Sequence, residues 1–200
     1  MKNTKQKGSQ WERNCAKLLS LWLSDNTRDD LVWRTSGSGN RHSIRKKRGK
    51  DTYNQAGDLC ATDPCVQFFF DYFLVECKNG YSKGKVSECI DPLYILDKLE
   101  NTKQSILIDW WNKAEKERLQ SNRKHSIILF KRTAKRPCIV HGQKLIWSLA
   151  DYIGEYPGDQ IIVYSDLIGD NNCLVICDLE KWLSWCDPAW MKEVTARELT

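Results

Sequence analysis

A chain of 200 residues with 41% hydrophobic side chains can bury a full core, and its length fits one domain better than two. A net charge of +5 with 28% charged residues favours a polyanionic partner only mildly, so the distribution of charge matters more than its total. Nine irregularly spaced cysteines with no C-x-x-C pair argue against structural zinc or a disulfide framework, and the absence of an apolar leader or membrane-length run points to a reducing, cytoplasmic home.

Residues 9–24, "SQWERNCAKLLSLWLS", place apolar side chains at 11, 15, 18, 19 and 22, the spacing of a helix with one buried face. Ser9 followed three residues later by Glu12 reads as a capping box that starts the helix. Ala16, Leu19 and Leu23 share the face of Glu12, which puts that carboxylate at the border of the core. "LVWRT" at 31–35 reads as a short strand. The Gly/Ser/basic segment at 36–57 follows, with little to bury, and reads as a functional loop. Within it Arg41, Arg45, Lys46, Lys47, Arg48 and Lys50 put six positive charges into ten residues with no acid among them. Such a run can be a solvated loop or a localisation signal, but its place between a strand and the acidic positions below favours contacts to nucleic-acid phosphates.

"DLCAT" at 58–62 and the apolar run 66–78 flank Asp63-Pro64, which predicts a hairpin. Residues 91–120 have helical periodicity, with Trp110 and Trp111 split between burial and surface. "HSIILFKR" at 125–132 reads as a strand, and "CIVH", "KLIWSL", "IIVY" and "CLVICDLEKWLSW" as short strands with a closing helix. The alternation predicts an α/β domain with a central mixed β-sheet flanked by helices.

Side chains alternate faces along a strand, so Glu76 and Lys78 point the same way, with Cα atoms about 6.6 Å apart, while Cys77 points the other way. If the hairpin brings Asp58 to Glu76, two carboxylates converge beside an ammonium and form a hard-oxygen site for Mg²⁺ or a similar cation. Without the ion the carboxylates repel and one takes up a proton. A neighbouring lysine can hold or deprotonate a water, or balance charge on a phosphate. The chemistry implied is metal-assisted attack of water on a phosphodiester. Read singly, Glu76 and Lys78 are an ion pair on a solvated strand and Asp58 a turn residue, but the residues before Glu76 are too apolar for a half-exposed strand.

Gly57-Asp58, Glu76-Cys77-Lys78 eighteen positions on, and a preceding helix bearing Glu12 resemble the PD-(D/E)xK nuclease superfamily. The resemblance implies a restriction-endonuclease-like core and a Mg²⁺-dependent DNA endonuclease, with Mn²⁺ able to substitute. It makes Asp58, Glu76 and the backbone carbonyl of Cys77 metal ligands, Lys78 the water-positioning residue, and Glu12 a support acting through a bridging water. Gly57 stands where proline is often found. Within the superfamily the chain is similar to archaeal-type Holliday junction resolvases and related phage endonucleases. The glutamate helix, "RTSGSGNR" after the first strand, and "IILFKR" after a helix that includes Gln104 carry this likeness. It implies branched DNA as substrate, a homodimer, and an assisting serine, Ser36 or Ser38, with Arg34 beside the scissile phosphate. The motifs cover about residues 8–132; residues 133–200 are expected to extend the same single domain, 1–200. Two alternatives stand beside this reading. One is a restriction-type or nicking endonuclease whose C-terminal region reads bases, and the other is a non-catalytic nucleic-acid-binding module on the same fold.

Overall fold

A computed structural model describes residues 4–35, 56–80, 105–171 and 173–198, and element labels count within them. Helix α1, Thr4–Leu23, turns Trp11, Cys15 and Leu19 inward at i, i+4, i+8. It begins before Ser9, so the expected capping box does not form. The Ser9 hydroxyl instead accepts from the Arg13 guanidinium one turn on, at 3.1 Å. Ser20 Oγ donates to the Ala16 carbonyl and accepts from the Val32 N–H at 2.9 Å, fastening strand β1, Val32–Arg34, to the helix.

Strand β1 pairs antiparallel with β2, Leu59–Ala61. The predicted hairpin between β2 and the following apolar run is absent. Asp63 caps a 3₁₀ turn, Pro64–Val66, by accepting from the Cys65 N–H at 3.0 Å, with proline in the first turn. "QFFFDY" continues as helix α2, Gln67–Tyr72, and only then does the chain extend into β3, Phe73–Asn79. An unbroken apolar run has no period to tell helix from strand, so the Asp-Pro signal decides, and it starts a helix here.

Helix α3, Ile106–Gln120, connects β3 to β4, His125–Lys131, which lies parallel to it with Glu76 opposite Ile128. There follow β5, Pro137–Gly142; α4, Gln143–Ile153; β6, Gln160–Tyr164; a 3₁₀ segment, Asp166–Asn171; β7, Cys173–Asp178; α5, Leu179–Trp185; and α6, Pro188–Glu198. "KLIWSL", read as a strand, belongs to α4. Leu145 and Leu149 are buried one turn apart, a period that six letters are too few to display.

The main sheet runs β3-β4-β5-β7-β6, parallel at β3/β4 and antiparallel elsewhere, the mixed α/β architecture expected. Three of its five strands come from beyond residue 132. Alternation divides the core. Phe73, Val75, Cys77, Ile127, Leu129 and Val175 meet α1, α4, α5 and α6, whereas Ile128, Phe130, Val140 and Leu174 meet α3. Trp110 and Trp111 are both buried beneath α3 and do not divide between core and surface. Among the described residues no helix is long and apolar enough to cross a membrane, and the eight described cysteines are free thiols.

Candidate active site

Strand alternation puts Glu76 and Lys78 on the α3 side of β3, in line with Leu74, which packs against Ala114 of α3. Cys77 faces the opposite side. Burial and then the neighbouring Cys15 thiol push the Cys77 thiol well above the ordinary range, so it is an inert core group.

Asp58 reaches this strand without a hairpin. Its N–H donates to the Val75 carbonyl at 2.8 Å and its Oδ2 accepts from the Cys77 N–H at 2.9 Å, so the Gly57-Asp58 segment lies along the outer edge of β3. The segment is held from three directions. Thr35 N–H donates to the Asp58 carbonyl at 3.0 Å, Thr35 Oγ1 donates to the Gly57 carbonyl at 2.7 Å, and Gly57 N–H donates to Glu117 Oε1 of α3 at 2.8 Å. Gly57 has φ +75°, and a Cβ there would lie 2.7 Å from the Val75 carbonyl oxygen. Proline would fail twice at this position, because its ring fixes φ near −65° and it has no N–H for Glu117. The glycine that departs from the usual motif is therefore the residue this approach requires.

The outcome is a compact charge cluster. Lys78 Nζ hydrogen-bonds Glu76 Oε2 and lies 3.7 Å from Asp58 Oδ2, so both carboxylates meet one ammonium. The side chains of Asp58, Glu76 and Lys78 are 9%, 13% and 22% exposed, which makes the lysine the group nearest to water. Burial and then the Asp58 carboxylate raise Glu76 to about 7, against the pull of Lys78. Burial alone would lower Lys78, but the Glu76 and Asp58 carboxylates outweigh it and hold the ammonium above the ordinary lysine range. With both ionised, the two carboxylates would carry more negative charge than one ammonium balances, which is the electrostatic condition for a divalent cation.

Glu12 lies elsewhere. Its Oε2 is 2.5 Å from Arg34 Nε, and among the described residues no hydrogen bond or ion pair joins it to Asp58, Glu76 or Lys78. Arg34 is opposite Leu59 in the β1–β2 ladder, one residue along from Asp58, so this ion pair borders the cluster. Ser36, Ser38, Arg41, Arg45, Lys46, Lys47, Arg48, Lys50 and Gln104 fall outside the described residues. Two residues the sequence reading passes over, Thr35 and Glu117, hold the aspartate segment. Glu117 acts across sixty positions of chain, a separation at which no local spacing rule operates.

Residues 3–193 match the model of a family described as "Phage putative PDDEXK endonuclease". The chain belongs to this family. No curated protein and no solved structure matches it. The mixed five-stranded sheet is a restriction-endonuclease-like fold, membership of the family supports a nuclease, and the superfamily generally uses divalent metal ions. Among the described residues no group of three or more His, Cys, Asp or Glu side chains gathers to hold a metal. The donors available at the cluster, two carboxylates with backbone carbonyls beside them, suit a hard cation that keeps several of its waters.

Proposed function

We propose that this chain is a Mg²⁺-dependent DNA endonuclease that cuts branched DNA in the manner of a Holliday junction resolvase, with Asp58, Glu76 and Lys78 as its catalytic centre. The convergence of both carboxylates on the Lys78 ammonium carries this reading. Asp58, Glu76 and the Cys77 carbonyl would hold the ion. Residues of one strand alternate in the edge to which they turn their N–H and C=O. Val75 C=O and Cys77 N–H face Asp58, so the Cys77 carbonyl is on that same edge. When bound, the ion supplies a water of lowered pKa and a positive centre for the phosphodiester oxygen.

The protein's own groups do the rest. Lys78, the most open of the three, orients the attacking water and balances charge on the phosphate. Thr35, Gly57 and Glu117 keep Asp58 on the strand edge, so the carboxylates stay converged without help from substrate. Glu12 supports from the border through Arg34, which in turn lies next to the scissile phosphate. Arg41, Arg45, Lys46, Lys47, Arg48 and Lys50 grip the backbone, and Ser36 or Ser38 assists. Junction specificity and a homodimer rest on the likeness to resolvases, with Mn²⁺ expected to replace Mg²⁺.

Purified protein incubated with a four-way junction, a linear duplex and a single strand, with and without Mg²⁺, tests this directly. Symmetric, Mg²⁺-dependent cuts confined to the junction are expected. Cleavage of plain duplex at defined sequences would replace the resolvase reading by a restriction-type one. Binding without cleavage would reduce the chain to a binding module.

A further inference from the structure

A second polar site lies on another flank of α3. Glu117 faces Gly57, and Arg118, the next residue and about 100° around the helix, borders a cavity of about 300 Å³. Trp111 of α3, His125 and Ser126 at the start of β4, and Lys144 in the first turn of α4 also line it. Ser126 stands on the α3 side of the sheet with Ile128 and Phe130, and like Trp111 it is 1% exposed. Among the described residues neither the Ser126 hydroxyl nor the Trp111 indole N–H has a hydrogen-bond partner, whereas the imidazole of His125 turns to the opposite face of the sheet, against Tyr72 and Phe73. Two buried, orphaned polar atoms beside one cavity are costly unless something satisfies them.

The surrounding charge selects what that is. Arg118, Arg123, Lys124 and Lys144 are cations. Arg118 is engaged with Glu115, the acid of the lining, through two bonds of 2.9 and 3.1 Å, Lys124 lies 3.8 Å from Glu198, and Arg123 donates to the Phe73 carbonyl. Lys144 stands beside Ser126 with no acid in the lining left to pair with it. Helix α4 opens at Gly142 without a side-chain cap, so the free N–H groups of its first turn add positive potential at the same wall. Burial and then Arg118 and Lys124 lower His125 to about 3, which leaves its imidazole neutral. Donors and cations with no uncommitted acid describe an anion site. The volume admits a tetrahedral oxyanion together with several of its waters.

The geometry points to a phosphate-binding pocket formed by Trp111, Ser126, Lys144 and the first turn of α4, separate from the carboxylate cluster. The phosphate comes either free in solution or on a nucleic-acid backbone. The inference does not depend on the nuclease reading.

The probe is sodium phosphate, titrated into the full chain against sodium chloride at matched ionic strength. The readout is the Trp111 indole N–H resonance, assigned with Trp111→Phe. A saturable shift specific to phosphate is expected, with affinity weakened about tenfold in Ser126→Ala and in Lys144→Gln. A short duplex lacking terminal phosphates, added with EDTA, identifies the source. The same shift, competed by phosphate, assigns the pocket to the backbone, and no shift assigns it to free phosphate. A phosphate response equal to that of chloride, or one unchanged in both variants, overturns the proposal.

Discussion

The two sides of β3 are built to opposite rules. Toward α1 the strand shows Phe73, Val75 and Cys77, all in the main apolar cluster, and Trp11 of α1 donates its indole N–H to the Leu129 carbonyl of the adjacent strand at 2.9 Å. Toward α3 it shows Leu74, Glu76 and Lys78, where apolar packing gives way to charge after one residue. The apolar side fixes the backbone, and the charged side uses that fixed backbone to keep two like charges close together. Carboxylates left free to move would separate, so the convergence is supplied by packing on the far face and by the hydrogen bonds of Asp58 along the edge.

The contrast predicts that substitutions on the charged side change chemistry and those on the apolar side change stability. The largest effect is expected from Lys78→Ala, which should lower the cleavage rate by about a hundredfold to ten-thousandfold while DNA affinity stays nearly intact, measured by single-turnover kinetics beside a binding assay. Asp58→Asn should match that loss and still fold, because an amide oxygen can accept the Cys77 N–H; urea unfolding checks the second half. Gly57→Ala should cost about 3 kcal/mol in the same unfolding experiment, since an L side chain is strained at φ +75° and its Cβ would meet the Val75 carbonyl. Val75→Ala, on the apolar side, should cost about 2 kcal/mol and leave the rate per folded molecule unchanged.

Smaller effects sharpen the electrostatics. Because Glu76 is raised to about 7 in the fold, protonation stabilises the metal-free protein at low pH, and that contribution fades as pH rises from the ordinary glutamate range through about 7. An ion that needs the carboxylate ionised should therefore bind about tenfold more tightly per pH unit below 7 and level off above it, with Glu76→Gln abolishing the slope; calorimetric titration with Mn²⁺ reads this. Smallest of all, Glu117→Ala should cost about 1 kcal/mol by orphaning the Gly57 N–H, and Glu117→Gln should restore most of it.

Much of this was legible in the sequence because it is local. The alternation of Glu76, Cys77 and Lys78, the periodicity of α1 and the apolar strands β4, β5 and β7 are properties of short windows. Expectation and structure part where a local signal has two outcomes. Asp63-Pro64 can close a hairpin or open a helix, and "FFFDYF" has no period to arbitrate. Ser9 and Glu12 have capping-box spacing, but the helix was already under way at Thr4. Asp58 does approach Glu76, through a left-handed glycine and an edge-on hydrogen-bonded pairing rather than a turn. That geometry depends on Val75, Thr35 and Glu117 together, which no single window contains.

The most direct test of the shared-cation site is anomalous diffraction from crystals of the protein soaked with Mn²⁺. The account predicts a peak within bonding distance of both the Asp58 and Glu76 carboxylates, lost in Asp58→Asn. A Mn²⁺ peak elsewhere, or none at these carboxylates in a protein that cleaves DNA at full rate with Mn²⁺, would contradict it.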